Sequence, residues 1–247
     1  MSCLLGVGDA ERECPDIETA SEGYARRFSG RAGQYFLKVQ ARAVRRLLSV
    51  GPQIRVLDVG GGHGQLIPII NETGADITVL GSADICHDRI RHSPLGVCAR
   101  YVTGDLLHLP FHNQCYDTVL SVRLISHITD WRQLVAELCR VARRTIIIDY
   151  PSWRSLNALT PVLFRFKRLL EGNTRTYTNF CDRELVQEFG KHGFKSGDSE
   201  RQFFLPMFIH RALDSPLVLQ NIENYLRISR LTVLFGSPVI RRFDRAL

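Results

Sequence analysis

From residue 54 onward the chain alternates between short apolar, β-branched runs and segments whose apolar residues recur every three or four positions. The runs "IRVLDVG", "DITVLGS", "ARYVTGD", "CYDTVLSVRL" and "RTIIIDYP" read as buried strands. Between them, "GQLIPIINETG", "CHDRIRHS" and "DWRQLVAELCRVAR" read as helices, with Pro68 tolerated near the first turn of its own. Strands separated by helices predict a parallel sheet with right-handed crossovers and both faces covered. Ahead of them, "QYFLKVQARAVRRLLSV" places Phe36, Val39, Ala43, Val44, Leu47 and Leu48 near one helical stripe, stopped at Gly51 and Pro52.

After Pro151 the rhythm changes. "LTPVLFRFKRLLEG" reads as an amphipathic helix, and "CDRELVQEFGKHGF" as another, capped by Asp182 and stopped at Gly193. "RQFFLPMFIHRAL" and "LTVLFGSPVI" read as strand-like pieces. With no internal repeat and no flexible linker, the expected organisation is a loose leader over 1–23 and one domain over 24–247. Within it, 24–50 forms a helical cap, 54–150 the core of the sheet, and 151–247 an extension with the last strands.

Composition narrows the picture only in part. With 45% apolar residues among 247, a sizeable core can form. No apolar stretch reaches the roughly 18 residues of a membrane span, and the first residues do not resemble an export signal. The seven cysteines stand singly, without a C-x-x-C pair, so neither a disulfide framework nor a metal site is expected, and a cytoplasmic location is. The net charge of +7 admits nucleic-acid, anionic-lipid or anionic-substrate partners. "FRFKRLL" and "YLRISRLTVLFGSPVIRRF" mix arginine with bulky apolars. Such a composition suits peripheral contact with an anionic membrane, although helix packing explains it as well.

The stretch "VLDVGGGHGQ" carries the most chemistry. Gly60, Gly61, Gly62 and Gly64 behind an apolar strand let main chain approach a ligand closely and free the amides of the following helix. Their G-x-G-x-G spacing differs from the G-x-G-x-x-G of dinucleotide folds, because Gln65 stands where the last glycine belongs. This disfavours a nucleotide-dependent oxidoreductase.

The same stretch resembles motif I of the class I S-adenosylmethionine-dependent methyltransferases, of the type 11-like, small-molecule or lipid-precursor kind. "VLGSADIC", "TGDLLHLPF" and "YDTVLSVRLISHITDW…LVAELCRVAR" resemble the family's later motifs, in order, over residues 54 to 150. The resemblance implies a Rossmann-like, doubly wound, mostly parallel seven-stranded sheet with helices on both faces. It also implies methyl transfer from S-adenosylmethionine. By the same resemblance Asp58 and the glycines would hold the cofactor's amino-acid end. Asp84 and Ile85 would meet its ribose, Asp105 and Leu106 its adenine, and Ser121 would line the pocket. The extra residue between loop and acid in "VLGSADIC" departs from the usual spacing. The family's proline-glycine-glycine turn before the fifth strand is missing from "ARRTIII".

No universal catalytic group carries over, since the methyl group is already electrophilic and needs mainly alignment. His127, just past the fourth strand, is the candidate base. Tyr24, Arg31, Tyr35, Arg123, Tyr177 and His210, with Arg175, are the polar candidates for an acceptor pocket, and Phe203 to Phe208 could give it an apolar wall. His63 is expected to be exposed, and Asp117 structural. The N/D-P-P-Y motif, a Pro-Cys or Thr-Cys nucleophile and interleaved base-stacking aromatics are all missing, so nucleic acid is an unlikely partner. A small or lipid-like acceptor is the expectation. A non-catalytic, cofactor-binding relative is the alternative.

Overall fold

The apolar runs of the sequence become the centre of a seven-stranded sheet. A computed structural model describes residues 12–48, 51–155, 177–206, 209–210 and 215–246. Strands β1 (Arg55–Val59), β2 (Asp76–Gly81), β3 (Arg100–Thr103), β4 (Tyr116–Ser121) and β5 (Ala142–Tyr150) are joined by β6 (Phe194–Phe203) and β7 (Ser237–Arg245). Their order is β3-β2-β1-β4-β5-β7-β6. The first five run parallel. Strand β7 runs antiparallel between β5 and β6.

The chain order reverses beside β1, which pairs with β2 on one side and β4 on the other. In open α/β sheets ligands bind beyond the carboxyl ends of the strands at such a switch point. The helices are α1 (Asp16–Thr19), α2 (Glu22–Arg26), α3 (Arg31–Leu47), α4 (Ile67–Asn71), α5 (Ile85–Arg91), α6 (Trp131–Val141), α7 (Asp182–Lys191), α8 (Pro216–Ile228) and α9 (Leu231–Phe235). Two apolar clusters sandwich the sheet. One joins Leu57, Leu138 and Ile148 to Phe189 and Phe243, and the other joins Val44, Val56, Ile70 and Ile147. Both faces are therefore buried, as the parallel strands require.

Helix α6 shows how the sequence sets the scaffold. Asp130 caps it by accepting the Gln133 amide at 3.1 Å. Its inward stripe carries Leu134, Val135 and Leu138. Val141 ends it and Ala142 already begins β5, so the missing turn leaves a direct junction. From its polar side Glu137 accepts the Leu109 amide, while Arg140 donates to the carbonyls of Leu109 and Phe111. This clamp holds the loop after β3, where Asp105 lies. At the other end of the sheet, Asp117 accepts from the Arg55 amide and from Arg143, a structural tie between strands.

Four local expectations are corrected. The described part of the leader, 12–23, is not loose: α1 lies in it, and Asp16 is completely buried. Asp182 is the first residue of α7 rather than its cap, because its carboxylate is taken by Arg201 and Arg241 at 2.6 and 3.1 Å. In "LTVLFGSPVI" the first five residues are helical and only the rest is strand. In "RQFFLPMFIHRAL" the strand ends at Phe203, and Ile209 and His210 are helical. The helix expected in "LTPVLFRFKRLLEG", together with Arg175, Met207 and Phe208, lies outside the described residues.

Phe189 stacks on Phe243 with ring centroids 3.9 Å apart, and both are fully buried. Phe189→Ala should therefore lower unfolding stability by about 3–5 kcal/mol in chemical denaturation. A loss below about 1 kcal/mol would show that α7 is not part of the core.

Candidate functional site

Beyond β1 the main chain turns with Gly60 at φ +75° and Gly64 at φ +69°, a region that favours glycine. Gly61 and Gly62 are bare for a different reason. A Cβ at Gly61 would collide with Asp58 Oδ2, and one at Gly62 would lie 2.5 Å from the Cys86 carbonyl oxygen. The loop is thus pressed onto the Asp58 carboxylate on one side and onto α5 on the other.

Under that loop lies a set of buried polar groups. Neither oxygen of Asp58 has a hydrogen-bond partner among the described residues, and the same holds for Ser121 Oγ and Arg123 Nη1. Burial pushes the Asp58 carboxyl up to about 7, against the opposing pull of Arg123. His63 is buried, not exposed as expected. Its Nδ1 accepts the Gln65 amide at 3.2 Å, and burial with nearby Arg123 lowers it to about 3, so the ring is neutral.

Arg123 is the hub. It follows β4 with φ +62°, a conformation uncommon for residues other than glycine. Its amide donates to Asp149 Oδ1 at 2.5 Å. Its guanidinium donates to Gln40 of α3 and Gln65 of the loop, and lies 4.6 Å from the centre of the Phe28 ring. Asp149, at the carboxyl end of β5, is pushed up to about 6 by burial, against the Arg123 amide and charge. Sequence reasoning missed it, although an acid ending the fifth strand was the available signal. Gln40 was hidden as a polar residue inside the apolar stripe.

Residues 12–28 roof this crevice. Glu13 accepts the amides of Thr129 and Asp130 at 2.6 and 2.9 Å. Asp16 accepts the Ser82 amide and hydroxyl at 2.7 and 2.5 Å, just past β2. Ala20 stands 3.1 Å from where a Cβ on Gly62 would be.

The expected ribose acid does not occupy the end of β2. Asp84 stands three residues past Gly81 at the start of α5, exposed, and accepts from the Thr103 hydroxyl. Ile85 beside it is exposed. The carboxylate at the strand end is that of Asp16. Asp105 is partly buried. Burial raises its carboxyl, but the Leu107 amide, His108 and Arg12 outweigh this and hold it below the usual range. Leu106 is sealed in the core.

On the acceptor side the candidates divide. Tyr177 is 47% exposed and lies 5.6 Å from the His127 ring, with Asp149 and Tyr24 nearby. Arg123 and Tyr177 therefore lie near Asp149, and Tyr24 and His127 lie near Tyr177. Tyr35 and His210 do not join them. His210 is wholly buried, with Nε2 3.1 Å from Glu223 Oε1, and packs with Tyr35, Phe36 and Phe203. A histidine sealed in that way cannot line an open pocket, and Phe203 is core as well. Arg31 is exposed on the first turn of α3.

The orphaned groups suit an amino acid moiety. Asp58 and Ser121 can receive an ammonium group, while Arg123 and the loop amides can receive a carboxylate. Residues 57–147 match the family described as Methyltransferase domain. An uncharacterized protein of Mycobacterium tuberculosis is 31% identical over 106 residues, covering 42% of this chain and 39% of that one. The chain thus matches about two fifths of that relative's length. The malonyl-[acyl-carrier protein] O-methyltransferase of Pectobacterium atrosepticum is 28% identical over 63% of this chain and 62% of its own. Among solved structures, magnesium protoporphyrin IX methyltransferase from Synechocystis, with bound S-adenosylhomocysteine, superposes with TM-score 0.64 at 17% identity. That superposition covers 92% of this chain and 96% of that one.

The crowding at Gly61 has a measurable consequence. Gly61→Ala should cost about 1–3 kcal/mol of stability by displacing Asp58. Gly190→Ala, in α7 with open space around it, should stabilise by about 0.5–1 kcal/mol. Equal melting temperatures for the two variants would contradict the contact. Residues 57–147 thus match a methyltransferase domain, set in a sheet that shares the fold of that solved methyltransferase.

Proposed function

We propose that the protein transfers the methyl group of S-adenosylmethionine to an oxygen, nitrogen or carbon nucleophile of a small or lipid-like acceptor. The observation that carries this reading is the buried Asp58 carboxyl, unpartnered beneath a loop with no room for side chains. With Arg123 nearby but no hydrogen bond to either oxygen among the described residues, the carboxyl can take a further cation, and the ammonium of the cofactor's amino-acid end is one of matching size. Gly60, Gly61, Gly62 and Gly64 bring main chain to that end, Ser121 hydrogen-bonds beside it, and Arg123 faces its carboxylate. Asp105, partly buried on the loop after β3, would face the adenine, while Asp84 and Ile85, exposed at the start of α5, could meet the ribose only from outside the strand end that Asp16 occupies.

When bound, the cofactor supplies a methyl group already activated on a sulfonium. The chain's own task is to orient the acceptor and exclude water. Tyr24 and Tyr177 would frame the acceptor, and the residues 12–28 would close the site. His127 and Asp149 are the groups that could take a proton from an acceptor still protonated at neutral pH. Raised to about 6, Asp149 is a stronger base than an ordinary aspartate while remaining largely ionised at neutral pH. The Pectobacterium relative, named for an acyl-carrier substrate, supports an acceptor other than nucleic acid.

Calorimetry with S-adenosylhomocysteine tests the reading. Near pH 6 the free Asp58 carboxyl, raised to about 7, is mostly protonated, and an ammonium ligand favours its ionised form. Binding should therefore release about one proton at that pH, and affinity should rise as pH increases through 7. Asp58→Asn should abolish the release and weaken binding roughly ten- to a hundredfold. Absence of heat and of thermal shift at millimolar S-adenosylmethionine and S-adenosylhomocysteine would refute it. Transfer of labelled methyl to a panel of small and lipid acceptors separates catalysis from cofactor binding alone.

A further inference from the structure

Helices α8 and α9 pack against each other and against α3 and β6, yet their outer side is apolar. On α8, Leu217, Val218, Tyr225 and Ile228 face out, and on α9, Val233, Leu234 and Phe235. All seven are between 43% and 83% exposed. Leu217, Tyr225 and Ile228 share the exposed side of α8 with Asn221 and Asn224, a side that surface helices normally leave wholly polar. Seven large apolar residues exposed on two neighbouring helices mark a contact surface.

Its charge selects the partner. From Ser215 to Gly236 the sequence holds one carboxylate, Glu223. That group is buried and accepts the amides of Phe204 and Leu205 as well as facing His210. Two arginines stand in the same stretch, Arg230 exposed and Arg227 donating to the Arg201 and Gln202 carbonyls. A surface pocket of about 290 Å³ lies beside α9, lined by Arg154, Ser155, Phe204, Leu231 and Phe235. Arg154 and neighbouring Trp153 are exposed there.

Among the described residues of α8 and α9 no carboxylate is exposed, and arginine stands at the edge of the apolar side chains. That combination complements anionic headgroups above acyl chains. A second copy of the chain would bring the same arginines together, since a twofold contact sets like patches face to face. The sequence continues in the same composition after Ser155, where "LTPVLFRFKRLL" carries Arg165, Lys167 and Arg168 and no acid.

We infer that α8 and α9 dock the protein on the surface of an anionic lipid bilayer. The contact is interfacial, since among the described residues no helix is long and apolar enough to cross a membrane. Trp153 and Arg154 follow β5 closely, so docking turns the acceptor side of the site toward the lipid. The inference stands apart from methyl transfer and does not need it.

Co-sedimentation of the full chain with vesicles tests it. One set is phosphatidylcholine alone, the other phosphatidylcholine mixed with phosphatidylglycerol, each at low and high salt. Partition onto the mixed vesicles should be roughly tenfold stronger at low salt and should fall as salt rises. Tyr225→Asp combined with Ile228→Asp should abolish it while leaving the melting temperature unchanged, and Ile228→Leu should retain it. Failure to sediment with mixed vesicles, equal partition onto both sets, or partition that the double variant leaves intact would overturn the inference. So would a wild-type dimer in light scattering that the double variant splits, which would make the face a contact between copies.

Discussion

A carboxyl group sits at the end of the first strand, fully buried, with neither oxygen hydrogen-bonded to any described residue. Leaving such a group unsatisfied costs about 1–3 kcal/mol, more when it is ionised. Burial raises it to about 7, so the fold limits that cost by holding the proton. The neighbouring features follow from this one. Gly61 has no Cβ because the carboxyl occupies its place, and Gly62 has none because α5 presses from the other side. The arginine that faces the carboxyl is itself held in a left-handed conformation by a second buried acid, Asp149. Positions held against their own preferences gather where a site needs preorganisation.

The roof completes that arrangement. Glu13 and Asp16 bind backbone amides more than sixty residues away, joining the loop before α6 to the end of β2 across the carboxyl edge of the sheet. The crevice therefore lies between a floor set by the parallel strands and a cover held by those carboxylates and by buried Ala20 and Phe28.

The central strands and α6 were legible because their apolar residues follow one period over several turns or pleats, and burial on both faces leaves little else that such runs can be. The glycine loop and Asp58 were legible because glycines in that density have no other use. Legibility fails where a residue acts far from its own segment. Asp16 and Glu13 are ordinary polar residues in an aperiodic stretch, and only tertiary contact buries them. Asp182 has the chemistry of a helix cap but meets two arginines from the antiparallel strands instead. "LTVLF" has the composition of a strand, and its helical form comes from packing against α8 and β6. His210 looked like a pocket residue until its partner, Glu223, was placed beside it. Asp84 has a ribose acid's distance from the loop, yet it stands in the turn before α5 rather than at the strand end.

The titration of the Asp58 side chain tests the central claim most directly. Its carboxyl carbon, followed by nuclear magnetic resonance in protein labelled at aspartate and assigned with Asp58→Asn, should titrate near 7 in the free protein. Saturation with S-adenosylhomocysteine should hold it ionised well below that pH. An Asp58 that titrates near its ordinary value of 3.8, or whose midpoint is unmoved by the ligand, would contradict the account.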